Sequence, residues 1–440
     1  MFKRKGIRTL VLVLALMAAG WIAFGSDSRP RPAQAAEDYQ ELQLFTDVLA
    51  IVRRSYVEEV PMKDLVYGAI NGMLAALDPH SSFMPPDVYK EMKIDTRGEF
   101  GGLGIEITIR DGVLTIVSPI EDTPAFRAGL QAGDQILKIE EKPTKDMSIM
   151  DAVKLMRGPK GSKITITVFR EGFEKPREYI LEREIIKIKS VKGKTLEEGY
   201  GYLRIAQFQE RTGEDLLKVL QGLRETNQGQ LKGLILDLRN NPGGLLEQAV
   251  SVSDAFLRQG KIVYTDGREE GSKMEFSAHD QGTEPDYPLV VLVNGGSASA
   301  SEIVAGALQD HGRAVILGTQ SFGKGSVQTI LPLSDNSGLR LTTARYFTPK
   351  GTSIQAKGIT PDIVVEQLEL SASREGRAFR EKDLKNHFET PGPRQGEAEP
   401  EAEVPPLLDG DVQRDYQLMR ALDLLKGLQL FEGFKNQPAA

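Results

Sequence analysis

The sequence predicts an α/β core carrying an inserted β-rich domain, with helical segments at both ends. Three observations point there. Continuous apolar runs at Gly233–Leu238, Leu289–Val293 and Ala314–Leu317 each end in a glycine-bearing turn. Two of those turns feed helix-like runs, Leu245–Leu257 and Ser299–Asp310, and such strand–turn–helix alternation implies a largely buried sheet. Between residues 96 and 185 the period shortens to two, as in Lys163–Arg170, where apolar and polar residues alternate like a half-buried strand.

Taken in order, residues 1–35 read as a signal peptide or a membrane anchor. Lys3, Arg4, Lys5 and Arg8 precede an apolar run from Thr9 to Phe24, and Ala33-Gln34-Ala35 is a small-residue cleavage pattern. The run is shorter than the roughly 20 residues of a spanning helix. Either way the rest of the chain is expected outside the cytoplasm. Residues 36–95 form a helical segment: Phe45, Leu49, Val52 and Tyr56 recur at helical spacing, a second helix spans Asp64–Leu77, and Pro85-Pro86 breaks the chain. Residues 96–185 are the β-rich domain, with strands at Ile105–Ile109, Val113–Val117 and Ala132–Ile139 and short helices at Pro124–Leu130 and Asp151–Met156. Residues 186–370 are the α/β core. Residues 371–408 lose apolar periodicity and read as an acidic, proline-rich linker, disordered over Thr390–Pro406. Within 409–440 a last amphipathic helix, about Asp411–Leu430, sets Leu418, Leu422 and Leu425 on one face.

Composition narrows the chemistry. The 440 residues include no cysteine and only four histidines, which removes thiol catalysis and a disulfide framework. The net charge of −7 gives no reason to expect nucleic acid. His80, His279, His311 and His387 lack metal-ligand spacing, so no metal is expected.

What remains is a serine beside a lysine. Ser299 opens a helix after a strand and turn, and Lys324 sits in Ser-Phe-Gly-Lys-Gly (321–325) after the next strand. A lysine can take a serine proton once desolvation lowers its pKa from about 10.4 toward neutrality. Phe322, Gly323 and Gly325 offer it no counter-ion, and Gln328, four residues on, can orient the amine without restoring charge. The amide of Ala300 at the helix start and that of Gly244 in the turn after Gly233–Leu238 are candidate oxyanion donors.

Each residue also has a plainer reading. Ser299-x-x-Glu302 is a capping box, and by pattern alone capping is the more frequent use. A lone loop lysine is usually solvated. Gly318-Thr-Gln-Ser-Phe-Gly-Lys324-Gly325 misses a phosphate-binding loop only at its last position, where glycine replaces the magnesium-binding hydroxyl, so a nucleotide hydrolase is the least favoured alternative.

Asn294-Gly-Gly-Ser-Ala-Ser299-Ala-Ser-Glu-Ile, followed by Gly318-Thr-Gln-Ser-Phe-Gly-Lys324-Gly-Ser-Val-Gln328, resembles the active-site signature of the carboxy-terminal processing peptidases, also called tail-specific proteases. Leu77-Asp-Pro-His-Ser-Ser-Phe83, Gly98-Glu-Phe-Gly-Gly-Leu-Gly-Ile105, Leu236-Asp-Leu-Arg-Asn-Asn-Pro-Gly-Gly244 and Gly358-Ile-Thr-Pro-Asp-Ile363 extend the resemblance over nearly all of the chain after residue 35. It implies a serine endopeptidase with a Ser/Lys dyad: Ser299 as nucleophile, Lys324 as general base, Gln328 as its positioning partner, and the amides of Gly244 and Ala300 as oxyanion hole. It implies that residues 96–185 are a PDZ domain whose Gly102-Leu103-Gly104-Ile105 loop binds a substrate's terminal carboxylate, the peptide adding as a strand. The implied substrates are proteins with apolar, unstructured C-termini, cut near those ends through an acyl-enzyme. No cofactor is implied. The helical ends suggest a homodimer, the N-terminal segment a membrane association, and Arg157, at the end of the second helix of the β-rich domain, a signal of tail occupancy to the core. A PDZ-based adaptor whose core has lost activity is the alternative reading.

Overall fold

A computed structural model describes residues 32–110, 112–368 and 415–435, with side chains from Tyr39 to Phe431. The predicted signal segment up to residue 31 and the whole predicted linker lie outside the described residues. The chain divides into two compact units, one up to Met73 and the other from Leu74 onward.

The first unit holds α1 (Pro32–Ser55) and most of α2 (Met62–Ala75). Tyr39, Leu42, Leu44 and Phe45 on α1 are exposed, as is Tyr56, which falls just beyond the helix. The helix therefore exists where periodicity placed it, with Leu49 and Val52 half-buried and the rest of its apolar side exposed among the described residues.

The second unit begins with β1 (Ser82–Met84) and α3 (Pro86–Arg97). Pro85-Pro86 does not only break the chain. Pro85 caps α3 and Pro86 takes its first turn, where a missing N–H costs nothing. Asp78, buried in the turn before β1, accepts the amides of His80 and Ser81 at 2.8 Å and the Thr342 hydroxyl at 3.1 Å.

The β-rich domain follows as β2 (Glu99–Gly102), β3 (Ile105–Arg110), β4 (Val113–Pro119), α4 (Pro124–Arg127), β5 (Gln135–Ile139), β6 (Lys142–Pro143), α5 (Ile149–Met156), β7 (Lys163–Phe169), β8 (Arg177–Glu182) and β9 (Glu184–Lys187). Its sheet runs β3-β4-β5-β7-β8, with β6 beside β5, over a core of Leu114, Ile116, Ile136, Ile164, Ile166 and Val168. Strand β3 pairs only with β4, so its other edge is open among the described residues. Entry and exit strands β2 and β9 pair with each other.

The core comprises β10 (Val191–Glu197), β11 (Tyr200–Ile205), α6 (Thr212–Thr226), β12 (Gly233–Asp237), α7 (Leu246–Asp254), β13 (Lys261–Gly267), β14 (Glu275–Ser277), β15 (Leu289–Val293), α8 (Ala300–Asp310), β16 (Val315–Gly318), β17 (Ser326–Pro332), β18 (Gly338–Phe347) and β19 (Ile363–Val364), with α9 (Tyr416–Lys435) closing the chain. One sheet runs β10-β11-β12-β15-β16-β19 and is parallel from β11 onward. Both faces are covered. Leu234, Leu236, Val291 and Val293 pack with Leu220, Val252 and Val304 of α6, α7 and α8. Ile235, Val290, Leu292 and Leu317 face Leu418, Leu422 and Leu425 of α9. Burying those three leucines is worth about 1.5–3 kcal/mol each. Asp415 precedes this helix and accepts the Leu418 amide at 3.1 Å. A second, antiparallel sheet runs β1-β18-β13-β14, with β17 also on β18.

Candidate active site

Strands β12, β15 and β16 are adjacent and parallel, so their carboxyl ends lie side by side. That is where an open α/β sheet gathers ligand-binding loops. The three turns leaving those ends carry Gly244, Ser299 and Lys324, far apart in sequence and joined only by strand order.

The turn after β12 is fixed by Asn241, which is fully buried. Its side chain donates to Ile205 O at 2.8 Å and accepts the Gly243 amide at 2.9 Å, while its carbonyl accepts Ala298 N and Ser301 Oγ at 3.0 Å. Gly243 and Gly244 stand at φ of 102° and 144°, where a side chain is strained. A Cβ on Gly243 would lie 2.8 Å from the Ser299 Cβ, so this turn abuts the serine. Gly244 bridges Phe208, but the bonds run from Phe208 N to Gly243 O and from Leu245 N to Phe208 O. The Gly244 amide stays outside that pairing.

Ser299 precedes α8 at φ 55° and ψ −111°, a conformation that costs a non-glycine residue about 1–3 kcal/mol and that tertiary bonds must hold. It is 8% exposed. The Ser297 hydroxyl donates to Leu238 O at 2.8 Å, and the Phe322 amide donates to Ser297 O at 3.0 Å, linking all three turns. Ala300 is the first helical residue, where backbone amides have no intrahelical acceptor.

Glu302 decides how the capping-box reading ends. Ser299 and Glu302 do stand in that relation, and one carboxylate oxygen accepts the Ser299 amide at 2.8 Å. The same oxygen accepts the Lys324 amide at 2.9 Å. The other accepts the Ser321 hydroxyl at 2.5 Å and the Gly323 amide at 2.7 Å. The serine and lysine backbones are thus two hydrogen bonds apart through one buried oxygen. Burial pushes this carboxyl up to about 7, against the four hydrogen bonds that favour its charged form. The same contacts dispose of the phosphate-loop reading. Amides of the 318–325 loop that could cradle an anion are taken by Glu302, and the loop runs into strand β17 instead of a helix.

Lys324 is half-buried, flanked by Gly323 and Gly325, which are buried. Gln328 lies on β17 and donates to Ser326 Oγ at 2.8 Å. Sequence reasoning missed two neighbours. Tyr346 on β18 is buried, and its amide donates to Gly325 O, the residue after Lys324, at 2.7 Å. Arg239, 3% exposed, binds Asp237 with its Nη2 at 2.6 Å and Asp415 with both terminal nitrogens at 2.6 and 2.8 Å. Burial alone would raise the Asp237 carboxyl, but Arg239 holds it below its usual value. The only signal for Arg239 was its place beside the Asn-Asn-Pro-Gly-Gly turn. Tyr346 gave none.

In the β-rich domain the 102–105 loop has its carbonyls engaged internally. Ala125 N donates to Leu103 O at 3.0 Å, and Ile120 N donates to Gly104 O at 2.8 Å. Gly104 stands at φ 76°, and a Cβ there would collide with Thr123. The loop leads into the open edge of β3 at Ile105.

Comparison with known proteins agrees with this architecture. Residues 199–365 match the model for peptidase family S41, residues 115–170 a PDZ domain, and residues 24–88 the activating protease CtpB N-terminal domain. A carboxy-terminal-processing protease of Bartonella bacilliformis is 49% identical over 91% of this chain and 92% of its own length. A carboxyl-terminal-processing protease of Synechocystis sp. is 40% identical over 72% of this chain and 75% of its own. The carboxy-terminal processing protease CtpA of Bacillus subtilis is 34% identical over 81% and 76%. The chain therefore belongs to the carboxy-terminal-processing proteases, PDZ-containing serine peptidases of family S41.

Proposed function

We propose that this peptidase cleaves substrate proteins near their C-termini by a Ser/Lys mechanism, acting outside the cytoplasm. Ser299 attacks the scissile carbonyl while Lys324 takes its proton. The amides of Gly244 and Ala300 stabilise the oxyanion, the lysine returns the proton to the leaving amine, and water hydrolyses the acyl-enzyme. The observation that carries this reading is the single Glu302 oxygen shared by the Ser299 and Lys324 amides. Lys324 is half-buried in the free chain, and a bound peptide removes its remaining solvent, favouring the neutral amine. With the Gln328 nitrogen on Ser326, its carbonyl oxygen is the end that receives the lysine. No cofactor takes part.

A substrate's apolar tail adds to the open edge of β3 and sets its terminal carboxylate on the amides of the Gly102–Ile105 loop. Arg157, at the end of α5, pairs with Glu91 of α3 and lies 4.5 Å from the Phe100 ring centre. From α3 the Asp95 and Thr96 carbonyls accept Gln209 and Glu210 at 3.2 and 3.1 Å, next to Phe208, which the Gly243–Gly244 turn grips. That contiguous path supports Arg157 as the reporter of tail occupancy. The exposed apolar side of α1 supports a homodimer.

The test is truncation of an unfolded protein with an apolar C-terminus, read by mass spectrometry. Wild type should shorten it and Lys324→Ala should not. Shortening by both proteins contradicts the lysine base, and shortening by neither leaves the adaptor reading in its place.

A further inference from the structure

Asp78 and Ser81, from the Leu77-Asp-Pro-His-Ser-Ser-Phe83 stretch, take no part in the chemistry at Ser299, yet they are 2% and 6% exposed. They fill a gap along β18. One edge of that strand pairs with β17 from Gly338 to Arg345. The other edge changes partner: β1 covers Gly338–Arg340 and β13 covers Ala344–Phe347. Between them, over 341–343, no strand lies on that edge among the described residues, and the Asp78–Ser81 turn takes its place. The Thr342 amide donates to Ser81 Oγ at 3.1 Å, and Ser81 Oγ donates to Asp78 Oδ2 at 2.6 Å. The Thr342 hydroxyl donates to Asp78 Oδ1 at 3.1 Å. Both polar hydrogens of Thr342 therefore end on one buried carboxylate, one of them through the serine.

On the opposite edge the register slips at the same point. Ser326 and Val327 pair with Arg345 and Ala344, but Gln328 pairs with Thr342, so β18 carries Thr343 as an extra residue. Had the first register continued, Gln328 would oppose Thr343, and a one-residue change of register moves side chains to the other face of the sheet. Such a bulge re-aims a side chain and needs something to hold it in place. Here Thr343 is held by its hydroxyl, 2.7 Å from that of Thr329, and Thr342 is held by Asp78 and Ser81. We propose that Asp78 is a positioning residue for Gln328: with Ser81 it pins Thr342, keeps the bulge at that point and so fixes the side of β17 from which Gln328 meets Lys324. This rests on the reading of Gln328 as the lysine's partner. Asp78 acts through the strand and not on the reacting atoms.

The experiment measures, on the full chain, the rate at which a small fluorophosphonate labels Ser299, kcat and KM on a peptide, and unfolding in denaturant. Thr342→Val keeps the shape of the side chain and removes its hydroxyl. Labelling and kcat should fall together by about tenfold, the rate equivalent of one hydrogen bond to a charged group, with KM unchanged, and Thr342→Ser should restore them. In a Gln328→Ala background the same substitution should cost less than about twofold more, because the group it positions is gone. A loss of stability with labelling within about twofold of wild type overturns the proposal, since a merely structural contact gives that result. So does an equal loss of rate in both backgrounds. Gln328→Ala at wild-type rate ends the lysine-partner reading and the proposal with it, whereas a slow Gln328→Ala beside an unimpaired Thr342→Val ends the proposal alone. Should Thr342→Val unfold, Ser81→Ala, outside the strand, must give the same loss of rate and the same dependence on Gln328; a wild-type rate there overturns the proposal.

Discussion

Replacing Gly244 by alanine tests the oxyanion assignment with a magnitude the backbone sets. At φ 144° an added Cβ would sit 2.1 Å from Phe208 O and 2.8 Å from Phe208 C. Both are backbone atoms, and Phe208 is bonded on each side, to Gly243 O and from Leu245 N, at 2.9 Å. Nothing there can swing aside as a side chain would, so the peptide plane carrying the Gly244 amide must rotate. Strain and the loss of one of those bonds cost about 2–4 kcal/mol of stability. If the amide is an oxyanion donor, its displacement costs a further ~2.7–4 kcal/mol in the barrier, a drop of about 10²–10³ in kcat. Steady-state kinetics on a peptide with an apolar C-terminus, with denaturant unfolding alongside, separates the two effects. A kcat within threefold of wild type, accompanied by the stability loss, would refute the assignment.

Glu302→Gln replaces two acceptor oxygens by one acceptor and one donor, so two N–H or O–H groups lose their partner; kcat should fall about 10²-fold, and full activity would show that the carboxylate does not hold the two corners together. Because burial raises the Glu302 pKa to about 7, its contribution to stability is greatest below its unfolded value of 4.5 and is lost as pH rises through 7, by about 3 kcal/mol. Denaturant unfolding should therefore show wild type losing stability relative to Glu302→Gln across that window, and a flat difference contradicts the burial argument. Arg157→Ala should keep acylation of Ser299 by a small fluorophosphonate but abolish stimulation of cleavage by an added apolar tail peptide; unchanged stimulation rules out its signalling role.

How much was legible depended on whether the determining contacts were local. Leu289–Val293 was read to the residue because a strand buried on both faces needs an unbroken apolar run. The Ser299 helix was read because a turn and a helical period adjoin. Strands β17 and β18 were not read. Most of their residues are half-exposed and the pattern is weak. Tyr346 bonds Gly325, next to the lysine, from another strand, a contact no local pattern encodes. Glu302 looked like a cap because it stands three positions after Ser299, whereas its remaining partners lie some 20 positions downstream and needed the order of β15 and β16. Pro85-Pro86 reads as a break from either side, and only the α3 geometry shows that a helix starts there.

The clamp between Arg239 and Asp415 ties the last described helix to the turn that carries Asn241 and Gly244. Arg239 sits two residues before Asn241, and one of the two carboxylates gripping it arrives from just before α9. A molecule clipped upstream of Asp415 and parted from its last helix would leave a buried guanidinium short of an acceptor beside the turn that carries Gly244. Loss of Asp415 together with Gln417 of the last helix is therefore expected to loosen the turn that carries Gly244, although both lie more than 170 positions downstream of Arg239.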